Sequence, residues 1–132
     1  MGQPAAKKGD QVVATDTHVV MVPSASGSTP TPLPHPFAGI LNGALSGDVN
    51  IMGAPAATVD STADNTPAHV PTPPGASFQA PPSNKGTIKT GSPTVKINGK
   101  MAARNGDMAV TCNDPADLPV GSVIAVGTVL IG

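Results

Sequence analysis

The sequence predicts an all-β fold of short strands arranged as pseudo-threefold repeats. Three observations predict it. The 132 residues include 15 Gly and 16 Pro, a proportion well above the roughly 12% these two residues average. Both are the poorest helix formers, which excludes a helical bundle. A strand-and-turn phrase recurs three times along the chain. The only aromatics are Phe37 and Phe78, so little core can come from rings. The Gly residues show no three-residue period, which excludes a collagen. Hydrophobic residues make up 39% and the net charge is −1, so composition by itself leaves a disordered chain as the alternative to a β-rich fold. Near-neutral charge and few aromatics argue against a nucleic-acid partner. No apolar run is long enough to span a membrane as a helix. The start, MGQPAAKKGD, has no apolar stretch after its lysines, so no signal peptide is visible.

The repeated phrase reads Val49-Asn50-Ile51-Met52-Gly53-Ala54-Pro55-Ala56-Ala57 in one copy. It reads Val95-Lys96-Ile97-Asn98-Gly99-Lys100-Met101-Ala102-Ala103 in another, aligned without a gap. Apolar and polar residues alternate up to the Gly, the pattern of a half-buried strand ending in a turn. A third strand copy is Val129-Leu130-Ile131-Gly132, and its Ala-Ala step stands at the opposite end as Gln3-Pro4-Ala5-Ala6. The first repeat is thus split between the termini, which implies a closed body whose ends meet. Each copy continues into a turn: Lys7-Lys8-Gly9-Asp10, Thr58-Val59-Asp60-Ser61 and Arg104-Asn105-Gly106-Asp107. Gly supplies positive φ and Asp bonds its own backbone. The middle copy lacks the Gly, and its Asp comes one place early. These are read as structural turns, since no His or metal ligand partners the Asp at a fixed spacing.

Between the phrases the reading is coarser. Residues 11–22 are read as a strand, and the Pro/Ser/Thr/Gly-rich residues 23–36 as an extended loop. Residues 37–45 form a short helix or a strand. Residues 61–86, with six prolines, are read as a second long polar loop. Loops of this length are usually functional or tied down.

The chain has three His and one Cys. His18 stands as far after Pro4 as His69 stands after Pro55, so the two share one place in the repeat. Cys112 lies in the corresponding arm of the third repeat. His35 sits in Pro34-His35-Pro36, where the prolines keep the chain extended. Taken singly, a loop His is a solvated side chain and a lone Cys a small buried hydrophobe. The shared repeat phase, and the absence of any other His, single out His18, His35, His69 and Cys112 as a tetrahedral ligand set. Imidazole and thiolate suit zinc better than calcium or magnesium, with iron a weaker candidate. The lone Cys excludes an internal disulfide. A structural zinc contributes roughly 10–16 kcal/mol in small domains, comparable to the whole stability of a domain.

The phrase from Gly91 to Asp107, GSPTVKINGKMAARNGD, resembles the signature of PAAR-repeat proteins, in which Pro-Ala-Ala-Arg follows a strand ending in Asn-Gly. Pro4-Ala5-Ala6-Lys7 and Pro55-Ala56-Ala57-Thr58 keep the Pro and lose the Arg, whereas Met101-Ala102-Ala103-Arg104 does the reverse. The resemblance implies a single domain over residues 1–132, shaped as a small cone with a metal near the vertex. By similarity, His18, His35, His69 and Cys112 are the vertex ligands and zinc the structural cofactor. The implied function is non-enzymatic: capping a trimeric β-helical spike of the valine–glycine repeat type in a contractile injection system. Type VI secretion, phage-tail-like and extracellular injection particles are the candidate machines. The partners expected are one spike trimer per chain, effector cargo, and the target membrane during injection, with no nucleic acid. The expected location is the cytoplasm before assembly and the particle tip afterwards. Longer family members carry toxin extensions. This chain starts at its first motif and ends in its third strand copy, so a bare tip without an effector extension is expected.

Two other readings compete. A zinc hydrolase needs Cys112 outside the coordination sphere, a bound water and a general base; the chain has no HExxH motif and no Glu. Another structural or interaction module, such as an adhesin fragment, predicts no binding to a trimeric spike.

Overall fold

The computed structural model describes residues 2–132. It is all-β, with no helix among the described residues, and it fits a small all-β cone. In chain order the strands are β1 Gln3–Pro4, β2 Gln11–Ser24, β3 Gly27–Gly43, β4 Asn50–Ile51, β5 Ala54–Pro55, β6 Thr62–Asn65 and β7 Ser77–Phe78. They continue with β8 Lys85–Ile88, β9 Lys96–Ile97, β10 Lys100–Met101, β11 Met108–Thr111, β12 Leu118–Ile124 and β13 Leu130–Ile131.

The three copies of the phrase build one end of the molecule. Met52-Gly53 joins β4 to β5 and Asn98-Gly99 joins β9 to β10, with φ of 51° and 82°, and 53° and 81°. Positive φ at both central residues is the two-residue hairpin turn that matches strand twist, which is why Gly stands second. The split copy is rejoined in space. Gln3 pairs with Ile131 and Pro4 with Leu130, the register of Ala54 with Ile51 and Pro55 with Asn50.

The Ala-Ala steps then close a ring. Ala6 N donates to Ala103 O, Ala103 N to Ala57 O, and Ala57 N to Ala6 O, each at 3.0 Å. Bridges between Ala5 and Arg104, Lys7 and Ala56, and Thr58 and Ala102 run round the same circle. All six alanines are buried, and Ile51, Ile97 and Ile131 pack beneath Ala5, Ala56 and Ala102. Backbones this close leave room for a methyl group and nothing larger.

The turns that follow keep one geometry in different residues. Asp10 Oδ2 accepts from Lys7 N at 3.0 Å and Asp107 Oδ2 from Arg104 N at 2.7 Å. In the middle copy Ser61 Oγ accepts from Thr58 N at 2.9 Å. Asp60, at φ 80°, takes the place held by Gly9 and Gly106. The early Asp is therefore standing in for the Gly, and Ser61 for the Asp.

Above the ring the strands form a barrel. The large sheet runs β12-β11-β8-β6-β3-β2-β7, and β12 also pairs with β2. All of these strands but β7 thus close on themselves, which removes the sheet edges there. Each repeat contributes one neighbouring pair: β2 with β3, β6 with β8, and β11 with β12. Period-2 alternation points Val12, Leu41, Ala63, Ile88, Ala109 and Val123 inward, where all are buried.

One ring fills the axis. Phe37 is buried, and a Cβ on Gly39 would lie 2.7 Å from its Cε1. A Cβ on Gly86 would come within 3.3 Å of the same ring. Glycine two residues along the same strand, at Gly39, and on β8, at Gly86, makes space for a single large side chain, so this narrow barrel has little use for further aromatics.

One of the expected loops is a strand, and the other is interrupted by strands. Residues 23–36 do not form a loop: most lie in β3, which pairs with β2 from Ser24↔Gly27 to Gln11↔Ile40. Pro30, Pro32, Pro34 and Pro36 all fall on even positions. The next even residue, Ala38, donates to Asn65 Oδ1 and accepts from Thr66 N, whereas Leu41 N bonds Asp10 O. Even positions of β3 therefore face away from β2, where the ladder needs no donor and proline costs nothing. The ambiguous residues 37–45 continue this strand as far as Gly43. Residues 61–86 contain β6, β7 and the start of β8, so the second long loop is interrupted rather than continuous.

Phe37→Ala is expected to lower stability by about 3–5 kcal/mol, read from urea unfolding of the metal-free protein.

Candidate metal centre

The upper barrel interior changes from apolar to polar. On β2, the inward positions after Val12 and Ala14 are Asp16 and His18, with relative exposures of 0% and 1%. On β3, the inward position above Phe37 is His35. His69 comes from the segment after β6, and Cys112 follows β11 and is also buried. Asp16, His18, His69 and Cys112 each offer a ligand atom, and these atoms lie within 4.8 Å of one another.

Three of the four residues singled out from the sequence thus meet in one cluster, and Asp16 joins them. His35 stands against the cluster. Its ring centroid is 5.6 Å from that of His18 and 5.5 Å from that of His69. Both aromatics of the chain enclose the group. Phe78 packs 5.7 Å from His18 and 5.4 Å from His35, and Phe37 lies 6.1 Å from His69.

Hydrogen bonds fix the rings. His35 Nδ1 lies 3.0 Å from Leu33 O, so it carries the proton and leaves Nε2 with a lone pair. That Nε2 is buried without a partner. His18 Nε2 is 3.7 Å from Cys112 Sγ; its Nδ1 lies 3.5 Å from Asp114 Oδ2 without a hydrogen bond and is also buried without a partner. His69 Nε2 is 2.9 Å from Asp16 Oδ2. Asp16 also accepts from Thr111 Oγ1 and from Asn113 Nδ2 at 3.4 Å. Asn113 Oδ1 and Asp114 Oδ2 accept from Thr17 N and Val19 N. The segment after Cys112 is thereby docked on β2 and holds the thiol over the cluster.

The donor set fits a thiophilic divalent metal. Two ligands on a tetrahedral zinc, one N and one S, are about 3.6 Å apart, close to the His18–Cys112 separation. A buried imidazole nitrogen with no hydrogen bond, as on His35, is costly unless something electrophilic meets it. A carboxylate or carbonyl behind each ligating ring is the usual outer support of a metal site.

Asp16, Thr111, Asn113, Asp114 and Phe78 escaped the sequence reading. Asp16 was accessible to it, since it lies two residues before His18 on the same face of a strand. The others follow from how the loops fold back, which no local pattern encodes.

Residues 79–132 match the family model described as PAAR motif. This match supports a PAAR-repeat protein. No curated protein matches the chain. The matched part holds β8 to β13 and Cys112; the other two copies of the phrase join it through the alanine ring. PAAR proteins are spike-tip components of contractile injection systems, and the family is structural rather than enzymatic.

Burial pushes the Cys112 thiol up from its ordinary 9.0 to about 11, and the neighbouring Asp16 adds to the shift. Burial also lowers His18, against the opposing pull of Asp114. The metal-free fold therefore favours a neutral thiol and a neutral imidazole. The thiol's contribution to stability is complete below pH 9 and is lost as pH rises toward 11. The imidazole's contribution is complete above pH 6.5 and is lost as pH falls below that. Melting temperature of the metal-free protein is expected to drop on both sides of this range, in thermal scans with a chelator present.

Proposed function

We propose that this chain is a PAAR protein that caps the blunt end of a trimeric β-helical spike of the valine–glycine repeat type, as a rigid tip pinned by a structural zinc. The observation that carries the reading is the closed alanine ring and the apolar residues around it. Val49, Val95 and Val129 hold the same place in the three copies and have nearly equal exposures, 36%, 36% and 39%. A single chain with threefold-related contacts suits a threefold-symmetric partner, one chain per trimer. The spike belongs to a contractile injection machine of the type VI, phage-tail-like or extracellular kind. The protein resides in the cytoplasm before assembly and at the particle tip afterwards, where it meets the target membrane during injection and carries effector cargo.

His18, His35, His69 and Cys112 are the zinc ligands in this reading. Supporting it are the His18–Cys112 spacing and the unpartnered Nε2 of His35. Zinc bound there crosslinks β2, β3 and the segments after β6 and β11. That stiffens the upper barrel, where the enclosed side chains are polar and contribute little by burial alone.

His69→Ala is expected to lower zinc content and melting temperature together; one zinc per chain at an unchanged melting temperature excludes the assignment. X-ray absorption is expected to show one sulfur and otherwise light-atom neighbours. Co-purification with the spike is expected to give one chain per three spike chains, measured by native mass spectrometry. A 3:3 complex, or none, counts against the cap.

A further inference from the structure

Asp16 is set apart from the other acids of the chain. Asp10, Asp60, Asp64 and Asp107 each pair with a lysine or arginine: Lys7, Lys100, Lys85 and Arg104. Asp114 keeps 14% of its side chain exposed and accepts the Val19 N–H. Asp16 has no solvent exposure. Its partners are Thr111 Oγ1, Asn113 Nδ2 at 3.4 Å, His69 Nε2 at 2.9 Å and Cys112 Sγ at 3.5 Å. None of these is a fixed cation. A carboxylate enclosed in a protein interior is strongly disfavoured unless positive charge is supplied at the same place.

We propose that Asp16 sets the net charge of the buried metal centre and so selects a divalent ion over a monovalent one. The inference rests on the metal reading given above. Neutral imidazoles and one thiolate leave a divalent ion with one uncompensated positive charge in a dry interior. The Asp16 carboxylate cancels it. For a monovalent soft ion such as Cu(I), the thiolate alone achieves neutrality, and the carboxylate then leaves one negative charge in excess. Soft N/S sites ordinarily hold Cu(I) well, so ligand type alone does not exclude it. Charge does, and the carboxylate lies within hydrogen-bonding reach of His69 and Cys112 to act. Asp16 is a specificity-determining residue in this account.

The test compares the metal-free full chain with Asp16→Asn, which keeps the shape and an acceptor for Thr111. Zinc affinity is read by competition with a chromophoric zinc chelator, and Cu(I) affinity by a chromophoric Cu(I) chelator under anaerobic reduction. Zinc affinity is expected to fall about 10–100-fold while Cu(I) affinity stays the same or rises. A parallel loss of both ions would mean a merely structural role and would overturn the proposal, as would an unchanged zinc affinity. Asp16→Ser, smaller and also neutral, guards against a folding defect particular to Asn. Failure of both variants to fold without metal, seen by circular dichroism, would assign the carboxylate to the fold and likewise overturn the proposal. If the unaltered protein binds no zinc at all, the metal reading itself falls, independently of Asp16.

Discussion

The structure depends on closure of three short backbone segments around one axis. Ala6, Ala57 and Ala103 pass a single peptide hydrogen bond round a ring. Everything above inherits its spacing from that circle. Strands that start so close together form a barrel too narrow for an ordinary aromatic core. One Phe occupies the axis, and Gly39 on its own strand and Gly86 on β8 yield to it. The scarcity of Trp and Tyr follows from geometry, and the abundance of Gly and Pro from turns, close approaches and strand positions that need no donor.

The same narrowness decides where chemistry can sit. Lower down, small aliphatic side chains fill the interior. Toward the other end, facing inward positions carry Asp16, His18 and His35, with His69 and Cys112 folded in from the connecting segments. In a wide barrel such groups would be hydrated. Here they are packed against one another and against Phe78, and burial pushes the Cys112 thiol up and His18 down.

Much of this was legible in the sequence. The gapless repeat predicted the hairpins at Met52-Gly53 and Asn98-Gly99 and the meeting of the two ends, because strand period and turn chemistry are local properties. The common phase of His18 and His69 pointed to one site for the same reason. At β3 the four prolines imitate a loop signal. Their even spacing carried the missing information: alternate residues of a strand face opposite edges, so one edge tolerates what the other cannot. Asp114 and Asn113 were beyond reach because their partners, Val19 and Thr17, lie across the fold.

The prolines of β3 have a consequence outside the folded chain. Beyond Ala38 toward its turn, the hairpin of β2 and β3 runs past the strand that flanks β3 in the barrel, since β6 pairs only with residues from Gly39 onward. A long bare strand would offer a row of amide donors to any extended peptide it met. With Pro30, Pro32, Pro34 and Pro36 on that side, every second residue facing outward has no N–H to give. The hairpin can project from the barrel without becoming a template for strand addition, which keeps concentrated copies of the protein from zipping into aggregates.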